Sequence, residues 1–362
     1  MPKWGLEMRE GTVTAWLVEE GARIEVGTPI LDVETDKISN AVEAPDPGLL
    51  RRKVAQEGEV LPVKALLGVL AEPSVSDAEI DAFIAGYVVP ALSEGEEEGE
   101  SAYATLELDG ITVRYARRGP EKGVPVLFLH GFGGDLNNWL FNLDAIAEAA
   151  PVIALDLPGH GQSSARLPGQ GGLADFARFV VGLLDRLDIE RVHVVGHSMG
   201  AAIGARMALD HRARVASLSL INPAGLGPEI NAGYIQGFVA AESRRDLKPV
   251  VELLFADPAL VTRQLLDDLL KYKRIDGVTE VLSSLGRTLF AEGRQREQPG
   301  VELAATGVPV LVVWGREDRV IPPAQAATAP KGAKVEVIDG AGHMAMMEKP
   351  KTINQLIRGH IA

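Results

Sequence analysis

The spacing of apolar positions changes along the chain and divides it into three stretches. In residues 1–72, short β-branched runs alternate with glycine turns. The segments 11–18, 30–34 and 38–43 read as strands, with Glu20-Gly21 and Thr35-Asp36-Lys37 at their ends. Such composition and close turns predict an all-β unit. The stretch also echoes itself at an offset of 37 residues: Gly11 falls on Gly48, Glu20-Gly21 on Glu57-Gly58, Val26 on Val63 and Ile30 on Leu67. Two similar halves predict two intertwined hairpin sheets packed on each other. Over residues 76–87 the spacing becomes helical. Ser76 and Glu79 make a capping box, and Ile80, Phe83, Ile84 and Tyr87 form an i, i+3, i+4, i+7 stripe. From Tyr103 onward an opening hairpin is followed by apolar runs at 124–129, 152–156, 192–195, 218–221, 310–313 and 335–338, alternating with helical segments. Uninterrupted apolar strands alternating with helices predict a parallel sheet covered on both faces. Residues from about 225 to 300 read as helices set between two strands, a cap with glycine- and proline-bearing hinges at 225–228 and 298–300.

Charge sharpens this division. The net charge is −14, but residues 1–72 hold 8 basic and 13 acidic side chains, residues 73–101 hold 8 acidic and no basic ones, and residues 102–362 hold 28 basic and 29 acidic. More than half of the excess therefore lies in the middle stretch, whose end reads as a solvated tether extended by self-repulsion. Its short helix reads as docked on one of the domains rather than as a landing site for a partner. The expected domains are 1–72, an acidic linker with a short helix at 73–101, and 102–362 with its cap. An acidic chain without a basic stripe argues against nucleic acid. No signal-peptide run opens the chain and no run of about 18 apolar residues occurs, so a cytoplasmic protein without a membrane span is expected. The absence of cysteine excludes disulfides, thiolate metal sites and cysteine nucleophiles, and no metal site is expected.

The residues that carry chemistry sit at strand ends. Gly196-His197-Ser198-Met199-Gly200 follows a strand and opens an apolar helix, the setting a nucleophilic serine elbow requires. His130-Gly131-Phe132-Gly133-Gly134 follows an earlier strand, where backbone N–H groups serve an oxyanion hole; the amides of Phe132 and Met199 are the candidate donors. Asp318 follows the strand at 310–313, and His343 follows the one at 335–338. The order Ser198, Asp318, His343 is that of a serine triad on an α/β-hydrolase sheet. Glu317 is a neighbouring carboxylate that the sequence leaves open. Among seven histidines, all after residue 129, His343 alone has both the order and the loop.

Glu34-Thr35-Asp36-Lys37-Ile38, with Gly-Thr-Val and Trp-Leu-Val-x-Glu-Gly upstream and Ala44-Pro45-x-x-Gly48 downstream, resembles the lipoyl domain of 2-oxoacid dehydrogenase acyltransferases over residues 1–72. That resemblance implies a flattened all-β barrel, with lipoic acid joined as an amide to Lys37. An isolated Asp-Lys turn would otherwise read as solvated. Biotin carriers share the fold but flank their lysine with methionines, whereas Asp36 and Ile38 flank this one. Taken whole, the lipoyl-like domain followed by an α/β-hydrolase-like domain resembles the acyltransferase components of acetoin dehydrogenase complexes. Residues 132–139 and 270–274 belong to the resemblance. It implies acetyl transfer from lipoyl-lysine to coenzyme A, partnership with a thiamine-diphosphate-dependent E1 and the dihydrolipoamide dehydrogenase E3, and a homo-oligomer. Ordinary acyltransferase cores carry His-x-x-x-Asp-Gly. Here Asp109, Asp276 and Asp339 are preceded four residues earlier by Thr105, Tyr272 and Val335, so transfer needs another route. A lipoyl-linked serine hydrolase or thioesterase releasing the free acid is the alternative.

Overall fold

The 37-residue echo becomes an exchange of strands. The computed structural model describes residues 1–2, 8–35, 39–90 and 103–362. Its first compact unit, Met1–Ser101, carries seven strands among the described residues: β1 (Glu10–Trp16), β2 (Arg23–Ile24), β3 (Pro29–Glu34), β4 (Ser39–Glu43), β5 (Gly48–Lys53), β6 (Val60–Pro62) and β7 (Gly68–Ala71). The offset carries β1 onto β5, β2 onto β6 and β3 onto β7. The sheet orders are β4-β3-β1-β6 and β2-β5-β7, so each half lends its short second strand to the other half's sheet. Val13, Leu31, Val33, Val63 and Leu67 fill one core, while Ile24, Ala44 and Leu50 fill a second. Trp16 packs against both, its indole N–H donating to the Ala55 carbonyl at 2.9 Å. Gly21 (φ +88°) and Gly58 (φ +84°) repeat the same left-handed turn in each half.

The hairpin β3–β4 closes at the pair Glu34↔Ser39, and Lys37 lies outside the described residues, as does the acidic tether at 91–102. Helix α1 (Asp77–Gly86) starts on the expected capping box, with Ser76 accepting from the Glu79 amide. It packs on its own unit. Ile80 is buried, Arg51 pairs with Asp77 at 2.9 Å, Arg52 with Asp81 at 3.0 Å, and the Tyr87 hydroxyl donates to the Lys64 carbonyl. The stripe is only partly used, since Phe83 remains exposed.

In the second unit, Ala102–Ala362, the strands are β8 (Ala104–Leu108), β9 (Ile111–Arg118), β10 (Val126–Leu129), β11 (Val152–Leu155), β12 (Val192–His197), β13 (Val215–Ile221), a small pair β14 (Phe290–Ala291) and β15 (Arg294–Gln295), β16 (Val310–Gly315) and β17 (Lys334–Ile338). The main sheet has the order β17-β16-β13-β12-β10-β11-β9-β8. Its strands are parallel from β17 to β11, and β9 runs antiparallel to both β11 and β8. Every residue of β10, β11 and β16 is buried, which requires cover on both faces; edge strand β17 instead leaves Val335 and Val337 exposed. The helices are α2 (Leu143–Ala147), α3 (Leu173–Arg186), α4 (Met199–Asp210), α5 (Ala232–Ala240), α6 (Arg244–Val251), α7 (Arg263–Lys273), α8 (Val278–Leu289), α9 (Ala345–Glu348) and α10 (Pro350–Ile361).

Helices α5 to α8 lie between β13 and β16 and form the cap. Its two ends clasp each other. The Gly300 N–H donates to the Gly225 carbonyl at 2.8 Å, and the Gly225 N–H donates to Gln295 Oε1 at 2.6 Å. Gln295 also donates to the Glu229 carbonyl at 3.0 Å. The expected hinge segments are therefore stitched to one another, which anchors the base of the cap.

The repeat makes a stability prediction. A Cβ at Gly58 would meet no atom within 4 Å, so only the left-handed φ opposes it. Gly58→Ala should cost about 1–2 kcal/mol. Gly86→Ala, with open space and an ordinary φ at a helix end, should be neutral or slightly stabilising. Urea unfolding followed by Trp16 fluorescence checks both, and equal effects would contradict the conformational argument.

Candidate active site

The serine is presented by strain that its neighbours hold in place. Ser198 has φ +52° and ψ −117°, a conformation that costs an L-residue on the order of 1–3 kcal/mol. Its N–H donates to the Ile221 carbonyl at 3.1 Å, and its own carbonyl accepts from Ala201 at 3.0 Å and Ala224 at 3.1 Å. The flanking glycines are steric requirements. A Cβ at Gly196 would stand 2.6 Å from the Ala201 backbone, and one at Gly200 would strike the carbonyls of Leu129 and His130. Met199, buried, opens α4 immediately after the serine.

Behind the serine, Asp318 and His343 meet. Asp318 Oδ2 accepts from His343 Nδ1 at 2.8 Å, from Asn222 Nδ2 at 2.8 Å and from the Trp314 indole at 3.1 Å. Oδ1 accepts from the amides of Val320 at 2.8 Å and Ile321 at 2.9 Å. Burial alone would raise this carboxyl. The charge and hydrogen bond of His343, then the Ile321 amide and Asn222, outweigh it and hold Asp318 below the usual carboxylate range. Because Nδ1 is taken, Nε2 is the His343 nitrogen left for the serine. Glu317 is exposed and accepts instead from the Ala341 amide at 3.1 Å, so of the two neighbouring carboxylates it is Asp318 that touches the imidazole.

Two further histidines shape the site without the freedom to titrate near neutrality. The Leu157 N–H can only donate, so His130 Nε2 accepts from it at 2.9 Å and the proton sits on Nδ1, which donates to the Gly131 carbonyl at 2.8 Å. This fixes the start of the loop that carries Phe132. His197 donates from Nε2 to the His343 carbonyl at 2.9 Å and holds the His343 loop from below. Phe132 lines the same pocket as Ser198 and His343, and neither the Phe132 nor the Met199 N–H donates a hydrogen bond among the described residues.

The pocket is about 60 Å³ and is closed by the cap: Tyr234, Phe238, Val251, Leu254, Leu265 and Leu269 face Ser198, with Met344 and Met347 beside the histidine. The Tyr234 hydroxyl donates to the Phe132 carbonyl at 3.3 Å, tying cap to loop. Sequence reasoning missed Asn222, Tyr234 and Trp314. Only Asn222 carried a local signal, since Asn-Pro at a strand end marks a turn and asparagine tolerates its φ of +43°.

The buried imidazoles predict an acid-sensitive unit. Burial pushes His130 down to about 4 and His160 to about 3, and it lowers His197 well below 6.5. Below pH 6.5 the unfolded chain binds these protons and the folded one does not, so stability falls as pH falls. Asp156 acts oppositely. Burial and then Asp135 push it up to about 7, so the folded state takes up one proton first. The lowered imidazoles, His193 and His360 among them, outnumber the raised carboxyls Asp156 and Glu348, so stability should fall by on the order of a few kcal/mol as pH drops from about 6 to 5. Urea melts of the C-terminal unit within the full chain measure this slope; a flat profile would contradict the buried neutral tautomers.

Comparison with known proteins agrees with this architecture. The alpha/beta hydrolase fold family model matches residues 124–350, and the biotin-requiring enzyme model matches residues 1–70. A meta-cleavage product hydrolase from Pseudomonas fluorescens superposes with a TM-score of 0.64 at 24% identity, covering 71% of this chain and 96% of that one, a likeness of fold. The dihydrolipoyllysine-residue acetyltransferase component of the acetoin cleaving system of Cupriavidus necator is 62% identical over 361 residues, covering 100% of this chain and 96% of that protein. Its counterpart from Pseudomonas putida is 49% identical over 357 residues, covering 98% and 95%. The chain belongs to the family of dihydrolipoyllysine-residue acetyltransferase components of acetoin cleaving systems, a lipoyl-type domain joined to an alpha/beta hydrolase fold.

Proposed function

We propose that the acetyl group passes through Ser198 on its way from lipoyl-lysine to coenzyme A. The protein is the acyltransferase subunit of an acetoin-cleaving system, with covalent lipoic acid as cofactor and coenzyme A as acyl acceptor. The observation that carries the route is the Asp318–His343 hydrogen bond beside a strained serine in a capped, apolar pocket. The proposed attachment point of lipoic acid is Lys37. The register supports the fit, because pairing ends at Glu34↔Ser39 and residues 35–38 make the whole connection. When bound there, the group supplies a thiol that presents acetyl as a thioester.

The chain's residues then do ordinary acyl chemistry. Ser198 Oγ attacks the thioester carbonyl as His343 Nε2 takes its proton, and Asp318 holds the imidazolium. The Phe132 and Met199 amides donate to the developing oxyanion, a contribution of about 2.7–4 kcal/mol per donor. His343 returns the proton to the departing sulfur as the C–S bond breaks, leaving acetyl on Ser198. His343 next takes the proton of the coenzyme A thiol, whose sulfur attacks the serine ester, and passes the proton to Ser198 Oγ as the C–O bond breaks. This path replaces the missing His-x-x-x-Asp-Gly chemistry.

Membership of a multicomponent system implies other subunits. The thiamine-diphosphate-dependent E1 and dihydrolipoamide dehydrogenase E3 are the proposed partners, and a homo-oligomer in the cytoplasm is the proposed setting. No helix among the described residues is long and apolar enough to cross a membrane.

Ser198→Ala in the lipoylated full-length protein should lower acetyl-CoA formation by about 10³-fold or more, and Asp318→Asn by about 10⁴-fold. Transfer at the wild-type rate in Ser198→Ala would sink the serine route. Formation of acetate in place of acetyl-CoA would establish the hydrolase alternative. Intact-mass analysis after expression in lipoate-competent cells should show one lipoyl addition, lost in Lys37→Arg; an addition retained in that variant would place the cofactor elsewhere.

A further inference from the structure

We propose that Phe238 sets the length of acyl chain the site accepts and restricts it to two carbons. The inference rests on Ser198 as the acylated residue. Phe238 is buried on α5 and walls the pocket against the loop that carries Phe132. Its ring fills the space that a side chain on that loop would need. Gly133 has φ +73°, and a Cβ there would stand 2.5 Å from Phe238 Cε1. The ring also meets Phe132 edge-on, with centroids 6.1 Å apart and planes at 67°.

The wall cannot retreat at low cost. At Gly237, one position before the ring, a Cβ would lie 2.8 Å from Val250 Cγ2, so α5 is pressed against α6 there. Lys273 of α7, buried, donates from Nζ to the Phe238 carbonyl at 2.5 Å and to the Ala241 carbonyl, and the same ammonium stands 5.5 Å from the Phe238 ring centroid. A cation bonded to the last carbonyls of a helix satisfies groups that have no partner within it and opposes the negative end of its dipole. Moving this end of α5 outward means breaking these bonds in a dry place.

Volume decides what fits in front of this wall. About 60 Å³ is well under half of the ~150 Å³ of a cavity that houses benzene, room for only a few non-hydrogen atoms. An acetyl thioester presents a methyl, a carbonyl carbon, an oxygen and a sulfur. A butyryl chain adds two methylenes and must push against Phe238. A methylene that a tight apolar pocket cannot house is discriminated by about 10–200-fold.

The test compares wild type, Phe238→Ala and Phe238→Leu, all full-length, with acetyl, butyryl and hexanoyl thioesters of dihydrolipoamide and coenzyme A as acceptor. Wild type should lose at least tenfold in kcat/KM from acetyl to butyryl. Phe238→Ala should raise the hexanoyl-to-acetyl ratio by at least 100-fold, with Phe238→Leu in between. An unchanged ratio in the variants overturns the proposal, including a uniform loss at all three lengths, which is what a loosened cap would give. Should the alanine variant fail to fold, the leucine ratio decides alone. Adding Ser198→Ala separates the two readings: transfer that persists in that background defeats the serine route, while the length ratio still reports on the wall.

Discussion

A carboxylate taken out of water is stable only if donors replace the water, and in the C-terminal unit that requirement organises the site. Asp318 collects five donors from four parts of the chain: the His343 ring, the Asn222 amide, the Trp314 indole, and the backbone of Val320 and Ile321. They come from three strands, β13, β16 and β17, or the loops after them, so the sheet order is what makes the cluster possible. Asn222 does double duty, since its amide also donates to the Gly342 carbonyl at 3.1 Å and so fixes the loop that delivers His343. Removing one donor from such a shell leaves a buried charge under-satisfied, which costs more than the hydrogen bond itself contributes. The acid and the base are therefore parts of one electrostatic structure.

The serine side is built on the opposite principle, strain in place of solvation. Ser198 occupies a backbone conformation it would not choose, and four hydrogen bonds through its N–H and carbonyl keep it there. The elbow needs α4 to approach the end of β12 and the end of β10 within contact distance, which is why side chains are excluded at Gly196 and Gly200. Stored strain of this size is small against the stabilisation of a whole sheet, yet it holds the hydroxyl at the pocket instead of in the helix groove. His197 and His130 serve the two halves of the site as fixed neutral donors, and their burial is what keeps them from competing with His343 as bases.

How much of this the sequence revealed depends on how local each signal is. The sheet strands announced themselves as apolar runs because β10, β11 and β16 are buried on both faces, and the capping box at Ser76 survived because its two partners are three residues apart. The strand exchange in the N-terminal unit was legible because it is written twice. The elbow was legible because steric exclusion forces glycine at fixed spacing. Asn222, Tyr234 and Phe238 were not, since their roles exist only through contacts with Asp318, the Phe132 carbonyl and Gly133, 96, 102 and 105 positions away in the chain. The sequence pointed to Asp318 by its place after β16, and what it did not encode is the burial that sets Asp318 against His343 and leaves Glu317 exposed.

A serine site that transfers acyl groups faces a competition that a hydrolase does not. A tethered or free thiol at ~1 mM is outnumbered by water by more than 10⁴-fold, and at about 1.36 kcal/mol per decade the deficit is on the order of 6 kcal/mol. Thiol nucleophilicity offsets part of it. The rest falls on the protein, and the means available is exclusion. Among the walls of this pocket are Leu254, Phe255, Leu265, Leu269, Met344 and Met347, whose side chains offer water no partner to hold it. The clasped base at Gly225 and Gly300 anchors the cap that carries Leu254 to Leu269, which on the proposed route covers the serine while it holds the acyl group. On the proposed route the cap is thus what turns a hydrolytic constellation into a transferase, and its rigidity matters as much as its hydrophobicity, because every opening of the cap admits water to compete with the thiol.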